Sequence, residues 1–422
     1  MKRNLLNAPK GMKSYLPEQA LKFEEIRKNV SRVFRSWGYV PIMTPLLEYH
    51  NSLLAGMGEH TKKEFYKLID YDGNVLALRP EMTAPIARTV VNRSDEVDLP
   101  LRLSYFAPVY RYDLPQVGKN REIYQMGLEF IGDNSFADAE ILITAIEAIK
   151  NTGIKKFKID LGHVGYLQGI INRLELKTEE AQELKSFLHR KDFVGLRSFL
   201  GDLKPGEDSV LHELPLLRGD QEILQRAEKL VENEMSQKAV QKLQEIYQYL
   251  LSYDVAEYVN FDFSLIRGFD YYTGMIFEGF TEKLGYTICG GGRYDKLIQK
   301  YGGDPTPAVG FAIGVQRVAL ALGPKTSTGL DGILVFSPET RQLALNCARQ
   351  LHKDNYRIII EENGYSRDYF MEMAHRKGAE KVLLFSDKDA GANNQLCVID
   401  VKTEKEKIID INEGWEQKIW EK

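Results

Sequence analysis

No apolar run in this 422-residue chain approaches the roughly 20 residues that a bilayer-spanning helix needs. The opening Met1-Lys2-Arg3-Asn4 leads into polar sequence rather than an apolar leader, which places the expected location in the cytoplasm, with no membrane partner. Cysteine is scarce. Cys289, Cys347 and Cys397 stand far apart with no C-x-x-C pair, which excludes a disulfide framework and a thiolate metal site and leaves them as core residues. The seven histidines show no H-E-x-x-H spacing, so neither a metal nor another cofactor is expected. An excess of positive charge is also missing. With a formal net charge of −4, the whole-chain field gives no help to binding a polyanion. Repeats and low-complexity tracts are absent, and 43% hydrophobic with 27% charged residues is the balance of a folded globular chain.

What is present reads as a large α/β unit followed by a small one, since the length exceeds what one core normally organises. After Pro17, Ile26, Val30, Val33, Phe34 and Trp37 fall on one helical face that Gly38 closes. An extended stretch from Tyr39 to Thr44 then meets Pro45. Leu101 to Arg111 and Ile123 to Ile131 read as two strands joined by a polar loop. A helix carrying Leu142, Ile146 and Ile149 ends at Gly153 and feeds a strand with Phe157, Ile159 and Leu161 alternating. From about 168 to 256 the strand signal gives way to helical patterning, including Val240, Leu243, Ile246 and Leu250 behind a Ser236 cap, so a helical insertion is expected. Strands resume at Val259 to Leu265, Met275 to Phe280 and Tyr286 to Cys289. The Gly323 to Gly329 stretch has linker composition, which bounds the first domain at 1–325. Over 330–422, alternating strands and helices indicate a small α/β domain.

Four segments combine polar groups with tight backbone. In Arg79-Pro80-Glu81-Met82-Thr83, Pro80 could start a helix with Glu81 in its first turn. Arg111 is followed by a loop through Gly118 and Arg121 to Tyr124-Gln125-Met126-Gly127-Leu128-Glu129. On a strand, Gln125 and Glu129 share one face, where a carboxylate and an amide need a ligand or a protein partner, such as a buried Arg111–Glu129 ion pair. Arg267, Asp270, Tyr271 and Tyr272 crowd a glycine-punctuated turn. Cys289-Gly290-Gly291-Gly292-Arg293-Tyr294-Asp295, placed between a strand and a helix, permits close approach of backbone to a ligand without being G-x-G-x-x-G.

Together these segments resemble the histidyl-tRNA synthetase scaffold over residues 1 to about 320. Tyr39 to Glu48 with Pro45 is similar to the first class II motif, Arg111 falls at the arginine of the second, and Gly310 to Arg317 at the third. Arg267-Gly268-Phe269-Asp270-Tyr271-Tyr272 and Gly291-Gly292-Arg293-Tyr294 are similar to the two histidine signatures. The resemblance implies a class II synthetase-like antiparallel sheet flanked by helices, an α/β (α+β) fold with a degenerate anticodon-binding-like domain at its end. It also implies a homodimer through the Pro45 segment and a pocket for free histidine. Glu81 and Thr83 would meet the amino group, Gln125 and Arg267 the carboxylate, and Glu129 with Tyr271 or Tyr272 the imidazole; Arg111 completes the set. Arg111, Arg121 and Arg317 would be the residual nucleotide or phosphate contacts.

Several features resemble the regulatory subunits of ATP phosphoribosyltransferase more than the synthetases. These are Met82 in Arg79-Pro80-Glu81-Met82-Thr83, and the stretches Asp160-Leu161-Gly162-His163-Val164-Gly165, Phe187 to Asp192 and Leu214 to Gly219. Asp113 and Gln316 replace glutamates usual in the synthetases, Lys119-Asn120 thins the arginine loop that faces tRNA, and the tail has a small acidic excess. That resemblance implies a non-catalytic, histidine-sensing subunit with no catalytic residues of its own, partnered with a short-form catalytic subunit and not with tRNA. Arg111, Arg267 and Arg317 are all retained, and they keep a histidyl-tRNA synthetase as the alternative.

Overall fold

The computed structural model describes residues 6–112, 120–201, 209–267, 271–323, 329–385, 395–412 and 414–421. The chain divides into two compact units, Met1–Ser14 with Phe23–Gly323, and Tyr15–Lys22 with Pro324–Lys422.

The first unit is built on a nine-stranded sheet in the order Val40–Pro41, Leu101–Tyr110, Glu122–Ile131, Ala308–Gly314, Cys289–Arg293, Met275–Thr281, Phe157–His163, Val259–Asp262, Arg218–Gly219. Its pairings are antiparallel except Val40–Pro41 with Leu101–Tyr110 and Phe157–His163 with Val259–Asp262. The helix Ala137–Asn151 packs on this sheet and is buried nearly all round, through Leu142, Ile143, Ile146 and Ile149. Its Glu140 is compensated by Arg102 at 2.8 Å and by the Tyr39 hydroxyl at 2.9 Å. The helix Pro17–Ser36 buries Ile26, Val30, Val33 and Phe34, the face expected from its period.

The insertion is helical, with Val164–Arg173, Thr178–Arg190, Phe193–Gly201, Ser209–Glu213, Glu222–Lys229 and Glu234–Ser252. Two details differ from the sequence reading. The last helix is capped by Asn233, whose side chain accepts the Ser236 amide at 2.8 Å, while the Ser236 hydroxyl turns inward to the Tyr166 carbonyl. The chain also returns to the sheet inside the insertion, where Arg218–Gly219 forms an edge strand on Val259–Asp262. Two residues carry too little alternation to be read from pattern.

A separate three-stranded sheet is formed by Leu47–Tyr49, Val75–Leu78 and Lys67–Ile69. In the second unit a five-stranded sheet runs Ile358–Glu362, Gly332–Phe336, Lys381–Leu384, Gln395–Asp400, Glu406–Asp410. Its first three strands are parallel and served by helices Arg341–Lys353 and Arg367–Lys377, as the alternating pattern predicts. A closing helix, Trp415–Trp420, was not anticipated; it buries Trp415 and Ile419 in one core cluster with Leu334 and Leu396.

Candidate functional site

The segment Arg79 to Thr83 does not start its helix at Pro80. The helix is Thr83–Asn92, and Glu81 folds back as its cap, accepting the amides of Thr83 and Ala84 at 2.7 Å each. Glu81 is buried, and burial raises its pKa while those two amides lower it.

Glu129 lies on the strand Glu122–Ile131 opposite Gly310. A Cβ at position 310 would come within 1.8 Å of Glu129 Oε2, so the glycine makes room for the carboxylate. Glu129 accepts the Thr83 hydroxyl at 2.8 Å and, on its other oxygen, the Tyr294 hydroxyl. These are its partners in place of the considered Arg111 pairing; Arg111 Nε donates to the Pro80 carbonyl at 2.9 Å. Burial pushes the Glu129 pKa up to about 8, against the two hydroxyl bonds that hold it down. Near neutral pH this carboxyl can therefore either accept or donate a hydrogen bond. Burial also raises Tyr271 and Tyr294 well above the usual phenol value, keeping both neutral. The Tyr271 ring sits 4.8 Å from Tyr272 and edge-on to Tyr294 at 5.8 Å.

The glycine run is not a loop between strand and helix: Cys289–Arg293 is itself a central strand, paired on both sides. Glycine there has a steric purpose. A Cβ on Gly290 would lie 1.9 Å from Arg267 Nη1, so the bare backbone lets Arg267 lie across the sheet. Arg267 Nη1 donates to the Phe277 carbonyl at 3.0 Å and to Glu278 at 3.1 Å, and its Nε is buried with no acceptor among the described residues. Its guanidinium is 5.7 Å from the centre of the Tyr272 ring.

Glu81, Thr83, Arg111, Gln125, Arg267, Tyr271 and Tyr272 line one narrow cavity, and Glu129 stands behind Thr83 and Tyr294 at its end. All eight residues expected at a histidine site are thus brought together. Tyr105 and Tyr294 also line the cavity beyond the expected set, and Tyr294 belongs to the second histidine signature. Of the expected phosphate contacts, Arg111 lines the cavity and its amide donates to the Arg121 carbonyl at 2.9 Å. Arg317 is pinned by the Thr287 carbonyl at 2.6 Å, and its pKa is lowered by burial and then by the neighbouring charges of Arg111 and Arg267. The Arg121 guanidinium lies over the Tyr112 ring at 4.2 Å, and its amide donates to the Gly11 carbonyl. Gln316 is buried and spans the strand beside it, accepting the Tyr124 amide at 2.9 Å and donating to the Glu122 carbonyl at 3.2 Å. A glutamate could not make the second bond while ionised. Asp113, Gly118, Lys119 and Asp270 lie outside the described residues. Cys289 and Cys347 are buried free thiols, and no metal-ligand cluster occurs among the described residues.

A family model described as histidyl-tRNA synthetase matches residues 11–318. The chain belongs to that family. Within it, the chain groups with the ATP phosphoribosyltransferase regulatory subunits: it is 48% identical to that of Halothermothrix orenii over 95% of this chain and 96% of the relative. It is 37% identical to that of Desulforamulus reducens, over 92% of this chain and 97% of the relative. A histidine–tRNA ligase of Methanocaldococcus jannaschii is 32% identical over 97% of this chain and 98% of the relative. Among solved structures, an ATP phosphoribosyltransferase regulatory subunit/histidyl-tRNA synthetase from Bacillus halodurans superposes with a TM-score of 0.80 at 33% identity, covering 90% of this chain and 98% of that one. A Nostoc histidyl-tRNA synthetase, 20% identical, shares the fold with a TM-score of 0.84 over 98% of both chains.

Proposed function

We propose that this chain is the non-catalytic regulatory subunit of a short-form ATP phosphoribosyltransferase, needed for the first step of histidine biosynthesis, and that its pocket senses free histidine. The observation that carries the histidine reading is the hydrogen-bonded series Glu81, Thr83, Glu129 and Tyr294 at one side of the cavity, with Gln125 and Arg267 also on its lining. An amino acid needs an anion for its ammonium, a cation for its carboxylate and a reader for its side chain. A carboxyl that both accepts and donates suits an imidazole, whose two nitrogens differ in sense.

The subunit acts as a homodimer. Supporting this are the exposed apolar residues Met43, Leu46, Leu47 and Tyr49 around Pro45, a patch of the kind that marks protein contacts. No helix among the described residues is long and apolar enough to cross a membrane, which fits work in the cytoplasm. The ligase relative keeps an aminoacylating enzyme as the second reading. Two assays separate them: charging of histidine tRNA by the purified chain, expected to be negligible, and phosphoribosyl transfer by a short catalytic subunit, expected to rise when this chain is added. Robust charging with no effect on the transferase would replace the regulatory reading with the ligase.

A further inference from the structure

A much larger cleft adjoins the histidine pocket. It measures about 940 Å³ and is bounded by the insertion helices Val164–Arg173 and Thr178–Arg190 and by the segment Leu265 to Arg267. Arg267 and Tyr272 border both spaces. Two stretches that set the sequence apart from the synthetases converge here. His163, from Asp160 to Gly165, stands in the wall, and His189, from Phe187 to Asp192, reaches the Ile266 carbonyl at 3.4 Å.

The tautomer of His163 is fixed. The Gly165 amide can only donate, and it lies 3.1 Å from Nδ1; that nitrogen accepts, and the ring hydrogen sits on Nε2. Burial, then the charges of Arg293 and Lys242, push the His163 pKa down to about 4, so the ring is a neutral donor at physiological pH. The bond to Gly165 occupies Nδ1 and leaves Nε2–H as the donor, and the Nε–H of Arg267 is buried with no acceptor among the described residues. A third donor, Lys185 Nζ, has only a long 3.4 Å contact to Gln168. A buried donor without an acceptor is costly, which applies to Arg267 Nε; His163 and the exposed Lys185 border the same cavity. Leu167, Ile171, Leu265 and Ile266 supply an apolar wall, and the volume is of the size that takes a whole organic ligand.

We propose that this cleft is a second small-molecule site that takes a phosphorylated organic ligand of nucleotide size. Its phosphate is held by Lys185, Arg267 and His163, and its body lies against Leu167, Ile171, Leu265 and Ile266. A phosphate offers several acceptor oxygens with charge, which suits a cavity bordered by three such donors. This extends the proposed function, because a carboxylate in the histidine pocket and a phosphate in the cleft then draw on the same guanidinium. Each therefore lowers the other's affinity by the same factor.

Calorimetric titration of the full chain with AMP, and in parallel with ribose 5-phosphate, tests the proposal. AMP should bind, Lys185→Ala should weaken it about tenfold, as loss of one charge-assisted contact does, and Lys185→Arg should restore most of the affinity. Binding that ignores Lys185→Ala but disappears in Arg317→Ala would put the phosphate at a different place and overturn the proposal. So would the absence of heat with both ligands at millimolar concentration. Histidine titrated into the same preparations keeps the two readings apart: histidine binding without any phosphate binding removes only the cleft site, and AMP binding without histidine binding removes only the sensor.

Discussion

Thr83 donates its hydroxyl to Glu129 at 2.8 Å, joining a helix start to the centre of the sheet across 46 positions of sequence. Its own amide is bound by Glu81 at 2.7 Å, so one threonine ties together both buried carboxylates of the pocket. The strand position of Glu129 and the helix start at Thr83 are thereby registered, and a ligand that meets one carboxylate meets both in fixed relation.

Glu81→Ala should weaken histidine binding by roughly tenfold or more, because each charge-assisted hydrogen bond contributes on the order of 1.5–3 kcal/mol. Calorimetry measures it directly. Equal affinity in the variant would remove Glu81 from the ammonium site.

Gly290→Ala should displace Arg267 while leaving the fold intact, since the three nearest atoms a Cβ would meet belong to that side chain, the closest at 1.9 Å. Histidine affinity should fall by an order of magnitude or so, as for loss of a charged contact, with an unchanged far-ultraviolet circular dichroism spectrum. Unaltered binding would show that Arg267 does not reach the ligand.

The raised pKa of Glu129 has a defined sign in stability. Between the ordinary carboxylate value of 4.5 and about 8, the folded chain holds a proton that the unfolded chain has lost, so this group's contribution falls as pH rises through that window. Burial raises Glu81 in the same direction. Thermal melts of Glu129→Gln should therefore lose less stability from pH 5 to pH 8 than those of the parent chain. Parallel curves would place the Glu129 pKa near its ordinary value.

Much of this was legible because the informative residues act over short, periodic distances. The spacing of Gln125 and Glu129 put them on one strand face, and the spacing of Val30, Val33 and Phe34 gave a buried helix face. What was not legible depends on tertiary partners. Nothing local tells that Glu81 caps the next helix instead of sitting inside it, or that Gly290 to Gly292 form a central strand, because a glycine run has the composition of a loop. The purpose of those glycines is visible only once Arg267 lies over them. Nor does sequence show that the Arg121 guanidinium stacks over the Tyr112 ring, a contact made across the loop.

The exposed Met43, at 93%, and its apolar neighbours predict a two-fold contact around Pro45. Met43→Glu together with Leu46→Glu should convert a dimeric mass to a monomeric one in multi-angle light scattering. A parent chain that is monomeric at micromolar concentration would contradict the dimer outright.

In the proposed function, histidine bound at Glu81, Glu129 and Arg267 controls a catalytic partner. Feedback requires histidine to bind two states of the assembly unequally, and a difference of about 1–3 kcal/mol changes partner activity roughly 5- to 150-fold. The deciding measurement is the rate of phosphoribosyl transfer by a short catalytic subunit mixed with this chain, with and without histidine, repeated with Glu81→Ala. Histidine should inhibit the parent mixture, and the Glu81→Ala mixture should need at least about tenfold more histidine for the same inhibition. Identical inhibition curves for the two mixtures would mean that the feedback site lies elsewhere.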